Sequence, residues 1–448
     1  MTSPSTPHRT ADTAAEARKV AFGAFVGTAL EWYDFFLYGT AASLVFNRVF
    51  FVTDNPVAST MAAFASFGVG FAARPVGAVI FGRMGDKVGR KKTLIITVIM
   101  IGVATALIGL LPSYVTIGVA APILLTLLRL VQGLAVGGEW GGAVTLAIEH
   151  APPEQRGRFG VMPQIGSPVG TLLSSGAFLA VGLLPQEDFM SWGWRLPFLA
   201  AIPLLAIALY LRVKIEESPL FEVMLKEEEL AKTPVRDVFS LTRRELLIGA
   251  GSTLLGVGGF YLVTTFAIAY GTGTLGLPRS LLLGATLAAA AVEIVILIAF
   301  GRAVERFGAG RVTLLGGVLS ALVAIPAFLM LDTRNPAMVV LAIVIAVALL
   351  SIPYAASGVL LTSLFPANLR YSGVALASNI GAVVSGFVPF AATWAYAATG
   401  NSSMGPATLL ILLSLVTAGS GFLASRRRDA TAEELSGTTP SGSPRRHA

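Results

Sequence analysis

Twelve apolar runs punctuate the chain, each long enough to cross the roughly 30 Å hydrocarbon layer of a bilayer as an α-helix. They lie near 20–46, 57–82, 93–111, 116–148, 159–184 and 194–213, then near 246–272, 280–301, 312–331, 337–364, 371–398 and 405–424. Gly and Pro recur inside them, which helices in a bilayer tolerate because neighbours re-satisfy the freed backbone groups. The pattern predicts an all-α membrane protein with twelve transmembrane helices.

The polar stretches add an internal symmetry. The loop Gly82-Arg-Met-Gly-Asp86-Lys-Val-Gly89-Arg90-Lys-Lys92 has a degraded second copy 219 residues on, Gly301-Arg-Ala-Val-Glu305-Arg306-Phe-Gly308-Ala-Gly-Arg311. A weaker marker, Pro153…Arg156…Gly160 against Pro366…Arg370…Gly373, repeats at an offset of 213. Offsets near half the chain predict a transporter built of two related six-helix bundles. The domain map is then a cytoplasmic tail 1–19, a bundle 20–213, a linker 214–245, a bundle 246–424 and a tail 425–448. In the linker, six basic and eight acidic residues nearly cancel, and Phe221–Leu230 has the pattern of a surface helix. The last tail is rich in Arg, then in Ser, Gly and Pro, and reads as disordered.

Charge orients this map. With both ends inside, 26 of the 32 Lys and Arg fall on cytoplasmic segments. Only Arg48, Arg195, Arg279 and Arg334 fall outside, and Arg74 and Arg129 lie within spans. That bias predicts two cytoplasmic termini. The net charge of +7 is thus spread over short loops of the inner face, which gives nucleic acid no patch to bind. With 54% hydrophobic and 13% charged residues and a mean hydropathy of +0.76, the chain is too apolar for a soluble protein. Cysteine is absent and only three histidines occur, two of them in the tails, so thiol chemistry and a metal cluster are excluded. No cofactor is expected. The first 19 residues lack the apolar core and cleavage site of a signal peptide. Neither a phosphate-binding Gly-xxxx-Gly-Lys-Ser/Thr loop nor a Ser/His/Asp set occurs, which argues against an enzyme or an ATP-driven pump.

Charges inside spans carry the chemistry, because an ionisable group at the bilayer centre costs about 2.5–3.5 kcal/mol and must face a partner or a wet path. In the first span, Glu31, Asp34 and Tyr38 share one helical stripe. Two carboxylates one turn apart resist simultaneous ionisation, so one can carry a proton. Asp34 is the favoured carrier, with Glu31 beside it and Glu139 as a further candidate. Arg74 in the second span offers a carboxylate-matched fork for an anionic substrate, or pairs with Glu31 or Asp34 as structural glue. Arg129 in the fourth span is a substrate-binding candidate of the same kind that leans toward such a pair or a gating role, and Gln132, Glu139 and Trp140 follow it on the helix. Gln164 and Tyr38 are expected polar contacts of the substrate, as is Trp140. In the second half, Glu293 is the one acid well inside a span, with Tyr354 and Asn379 as further polar candidates. Trp192 and Trp194 read as interfacial anchors.

The loop at 82–92 resembles the signature between the second and third helices of the major facilitator superfamily. Arg129-Leu-Val-Gln132-Gly133 and Glu217-Ser218-Pro219 resemble two further motifs of that superfamily. More specifically, Glu31-Trp-Tyr-Asp-Phe-Phe-Leu-Tyr-Gly39, Gly137-Gly-Glu139-Trp140-Gly-Gly142, Glu149-His-Ala-Pro-Pro153 and Trp192-Gly-Trp-Arg-Leu-Pro-Phe198 resemble its metabolite:proton symporters of bacterial inner membranes. The resemblance implies a monomeric, lipid-embedded carrier importing a small carboxylate-bearing or zwitterionic metabolite together with protons. It also implies that Gly82, Asp86, Gly89 and Arg90 form an inner gate. Efflux antiport by the same fold is the alternative; the fifth span, with Ser167-Pro168-Val-Gly-Thr171, lacks two glycines of the superfamily's antiporter pattern. A transporter-like sensor is a further alternative.

Overall fold

The computed structural model describes residues 8–88, 90–137, 155–214, 234–366 and 369–436. Among them the long helices fall into twelve consecutive segments, in the order the hydropathy predicts. In the first half these are α1 (His8–Ala41, prolonged by a wide π-turn at Ala42–Phe46 and by Asn47–Val49), α2 (Pro56–Val88), α3 (Arg90–Leu110), α4 (Ala120–Val136), α5 (Arg156–Val181) and α6 (Leu196–Leu199 and Ala201–Lys214). The second half holds α7 (Arg243–Leu254, two π-turns at Leu255–Gly259 and Leu262–Phe266, then Ala267–Gly273), α8 (Arg279–Phe307), α9 (Ala309–Asp332), α10 (Pro336–Leu364), α11 (Arg370–Gly386 and Val388–Ala398) and α12 (Met404–Ser436). Seven of the twelve, α2 and α7 to α12, are long and apolar enough to cross a membrane on length and composition alone. Ile95–Leu110, Ala120–Val136 and Gly193–Ala206 are apolar but shorter. Val295, Leu322 and Leu412 stand exposed on outer faces, an arrangement suited to lipid contact.

Local chemistry sets the helix ends. Asn335 caps α10, its side chain accepting from the Ala337 and Met338 amides at 3.0 and 3.3 Å, with Pro336 at the first helical position. The fourth span begins as a separate turn, Tyr114–Ile117, because Gly118 adopts a left-handed φ of 60° before α4 starts. The eleventh breaks at Phe387, ahead of Pro389, whose ring blocks the helical hydrogen bond there. At the C-terminus the helix runs on to Ser436, past the 424 boundary of the sequence reading. The last turns carry Arg426-Arg-Arg428 and helix-forming Ala and Glu, so no breaker stops the helix before Gly437. Phe221–Leu230 of the linker lies outside the described residues.

Contacts between the halves close both ends. Near the centre Phe36 of α1 packs on Phe260 and Tyr261 of α7, with ring centroids 5.0 and 5.6 Å apart. About two turns further along α1, the Ser43 hydroxyl donates to the Thr265 carbonyl at 2.7 Å. Both residues sit in π-turns, which displace carbonyls from the regular ladder and make them available to a neighbour. Antiparallel α5 and α8 clamp each other end to end. At the start of α5 the Arg158 amide donates to Glu305 at 3.0 Å, and the two side chains pair at 3.3 Å. Past the end of α5, Arg279 donates to the Gly182 and Leu184 carbonyls at 2.7 and 2.9 Å and lies 4.1 Å over the Phe189 ring. An acid at the helix start and a base at its end both suit the α5 dipole.

Candidate substrate and proton site

Four charges meet between α1, α2 and α4. Glu31 and Asp34 come from α1, Arg74 from α2 and Arg129 from α4, and all four are buried. Arg74 Nη2 lies 2.9 Å from Glu31 Oε1. Arg129 Nη1 lies 3.6 Å from Asp34 Oδ2 and donates to Gln132 Oε1 at 3.1 Å. Gln132 in turn donates through Nε2 to Asp34 Oδ1 at 2.8 Å, and the Thr105 hydroxyl of α3 also reaches that oxygen. Between the cations stands Phe35, its centroid 4.2 Å from each guanidinium carbon. Phe71 at 4.6 Å from Arg74 and Tyr38 at 4.4 Å from Arg129 provide the outer faces. Such stacking contributes about 0.5–2 kcal/mol per contact when desolvated.

Local sequence makes room for this. Gly70 on α2 lies against the Arg129 side chain, and a Cβ there would meet Nε and the stem carbons. Gly133 of α4 abuts the Gly70 backbone, so the two helices approach at van der Waals distance. The formal charges of the quartet sum to zero. Arg74 Nε, Arg129 Nε and Nη2 and Asp34 Oδ2 are buried without a hydrogen-bond partner, so the quartet holds unused donor capacity.

A cavity of about 40 Å³ opens beside one pair only. Glu31, Arg74 and Gly137 form one wall; Thr253, Tyr354, Ser357 and Asn379, from the other half, face them. That volume has room for only about one to three waters, whereas ligand sites for drug-sized molecules span about 300–1,000 Å³. A separate vestibule of about 910 Å³ lies at the other end of the interface, bounded by Asn47, Thr60, Gln186, Tyr270 and Arg279 among others.

The predicted residues divide accordingly. Arg74 and Glu31 reach the cavity. Asp34 and Arg129 lie behind them, locked in their own network. Tyr38 does not line the cavity, because its ring supports Arg129 and its hydroxyl bonds Ser66 at 2.8 Å. Gln164 is also withdrawn: it spans the halves, donating to Ser357 Oγ at 2.7 Å and toward the Tyr354 carbonyl at 3.4 Å. Asn379 spans them too, donating to the Gly137 carbonyl at 3.0 Å. Gly82 is exposed with open space around it. Glu139, Trp140 and Gly89 lie outside the described residues, as do the side chains of Asp86 and Arg90. Trp194 corrects the reading of an interfacial anchor: it is fully buried, edge-on to Phe46, Phe50 and Phe198, because Arg195 folds over its ring at 4.5 Å. Trp192 is about half exposed, as an anchor requires. Sequence reasoning did not single out Thr105 or Phe35; a threonine and a phenylalanine in apolar helices carry no signal of their own.

Comparison with known proteins places this arrangement. Residues 20–245 match the family described as sugar (and other) transporter. The shikimate transporter of Escherichia coli is 42% identical over 381 residues, covering 84% of this chain and 87% of that protein. An inner membrane metabolite transport protein of the same organism is 38% identical over 394 residues, 86% and 90% of the two chains. The chain belongs to the major facilitator superfamily, among its metabolite transporters. The E. coli proline/betaine transporter is 33% identical over 439 residues, 95% of this chain and 86% of its own. In fold, this transporter superposes on a D-xylose–proton symporter with a TM-score of 0.69 at 18% identity, over 89% and 96% of the two chains. The expected class holds: a multi-pass membrane transporter of the major facilitator fold, in a family of carriers and not of enzymes.

Proposed function

We propose that this transporter imports a small, carboxylate-bearing metabolite together with protons, by rocking its two six-helix halves about the central cavity. The observation that carries the reading is the neutral quartet with one ion pair, Arg74–Glu31, on the cavity wall. Protonating one carboxylate leaves the quartet with a net positive charge. A substrate carboxylate then restores neutrality by taking the fork of Arg74 that Glu31 releases. An anion entering without a proton would leave an uncompensated negative charge in a buried site, which is strongly disfavoured. Proton and anion therefore bind as a unit. Glu31 meets the substrate directly; Asp34, held by Arg129, Gln132 and Thr105, is the second acid through which a proton can be exchanged while the cavity faces alternate sides.

The names of the relatives support a small polar or charged substrate, shikimate and proline or betaine among them. The charge bias of the loops supports two cytoplasmic termini. The test is flux in proteoliposomes. An acid-outside gradient should drive accumulation of a carboxylate selected by thermal-shift screening, since a specific ligand stabilises the folded state by mass action. A protonophore should abolish that accumulation. Accumulation that requires the opposite gradient would make the chain an antiporter.

A further inference from the structure

Among the described residues the quartet accounts for the buried charges of the first half, and one buried acid remains outside it. Glu293 stands in the middle of α8, 1% exposed, on the stripe Ala289, Glu293, Leu297, Gly301 that faces α5 and α10. One turn below, Leu297 packs with Val161 of α5 and with Tyr354 and Ala355 of α10.

No cation accompanies it among the described residues. Among the described residues, the charges of α8 itself, Arg279, Arg302, Glu305 and Arg306, sit at its two ends; Arg302, nine positions away, lies about 14 Å along the axis. Helix α5 brings Arg156 and Arg158 only at its cytoplasmic start, α9 brings Arg311 and Asp332 at its ends, and α7 brings Tyr261 and Tyr270. From α10 comes Tyr354, near enough to interact electrostatically with Glu293. The junction is also poorly satisfied: Glu293 Oε2, Gln164 Oε1 and the Tyr354 hydroxyl are all buried without a hydrogen-bond partner. An ionised carboxylate would place a charge with no ion-pair partner in a dry site, which is strongly disfavoured. A protonated one supplies a donor.

We infer that Glu293 holds a proton in this closed state and is a second proton-binding site of the transporter, in the half opposite the Glu31–Asp34 pair. Tyr354 packs with Leu297, one turn from Glu293, and lies on the wall of the central cavity, which gives a proton a path to Glu293 from that cavity past the Tyr354 ring. Separation of α5 from α8 and α10 would wet the junction and let the proton leave. The inference deepens the proton-coupled reading. Its test needs no substrate, so loss of uptake and loss of protonation remain separate results.

The test is infrared spectroscopy of the purified full-length protein at neutral pH. Wild type should show the carbonyl stretch of a protonated carboxylic acid in an apolar site. Glu293→Gln should remove that band, and Glu293→Met provides a second variant should the amide fold poorly. Glu31→Gln and Asp34→Asn should keep it. In deuterium oxide the band should shift, because the proton exchanges through the cavity. A spectrum in which Glu293→Gln and Glu293→Met lose no such band would overturn the inference. So would a band that never exchanges, which would mark Glu293 as a sealed structural acid.

Discussion

Asp34 and Arg129 allow the sharpest test of how the quartet is held. Arg129 is completely buried, 3.6 Å from Asp34 Oδ2, and stacked on Phe35 and Tyr38. Replacing Arg129 by Met leaves a buried carboxylate without its nearest cation. Replacing Asp34 by Leu leaves a buried guanidinium without its carboxylate and strands the Gln132 and Thr105 donors. Removing one partner of a buried pair costs about 3–5 kcal/mol, whereas replacing both with apolar residues of similar volume is often close to neutral. Each single variant should therefore lose about two to four decades in its folding equilibrium. The double variant Asp34→Leu/Arg129→Met should be more stable than either single variant by about 3–5 kcal/mol, far from the sum of the two losses. Unfolding of the purified proteins in one detergent, followed with temperature or denaturant, gives the cycle. Effects that add to within about 0.5 kcal/mol would mean that the two residues do not hold each other, and the quartet would fall with them.

Further expectations concern substrate, topology and the outer closure. Arg74→Lys should weaken binding of the transported carboxylate by about tenfold or more, because an ammonium cannot reproduce the planar fork; wild-type affinity in this variant, measured by ligand-induced thermal shift, would reassign Arg74 to a structural pair with Glu31. Single cysteines at Ser3, Ser191 and Ser441 are free of background in a chain without native cysteine. Only the one at Ser191 should react with an impermeant thiol reagent in intact cells, and labelling at either terminus would invert the topology. Arg279→Ala removes the donors that hold the Gly182 and Leu184 carbonyls, so amide hydrogen exchange in 182–189 and at the outer end of α7 should speed up; unchanged protection would rule out this clamp.

Much of this architecture was legible in the sequence because lipid imposes a blunt rule. A backbone in hydrocarbon must satisfy its own hydrogen bonds, so length and apolarity alone marked the helices. Glu31, Asp34, Arg74 and Arg129 were visible for the same reason, since charges stand out against apolar runs. Which carboxylate pairs with which arginine was not. Glu31 meets Arg74 43 positions away, and Gln132 meets Asp34 98 away, distances that only helix packing sets. Thr105 and Phe35 look like ordinary helix residues until three helices converge on them. Trp194 has an interfacial composition around it, yet the fold of Arg195 over its ring turns it inward. The helix through Ser436 is hidden in the sequence because the Arg-, Ser-, Gly- and Pro-rich composition of the tail masks the helix propensity of its Ala and Glu residues.

The account stands or falls on whether protonation of the quartet and binding of an anion are one event. The most direct measurement compares two fluxes of one carboxylate in proteoliposomes, exchange at equal pH and accumulation against an imposed pH gradient, for wild type, Glu31→Gln and Asp34→Asn. Each variant fixes a neutral side chain where a proton would otherwise come and go. Wild type should perform both fluxes. At least one variant, folded by the same unfolding assay, should still exchange substrate yet fail to concentrate it. Full proton-driven accumulation in both variants would contradict the coupling mechanism.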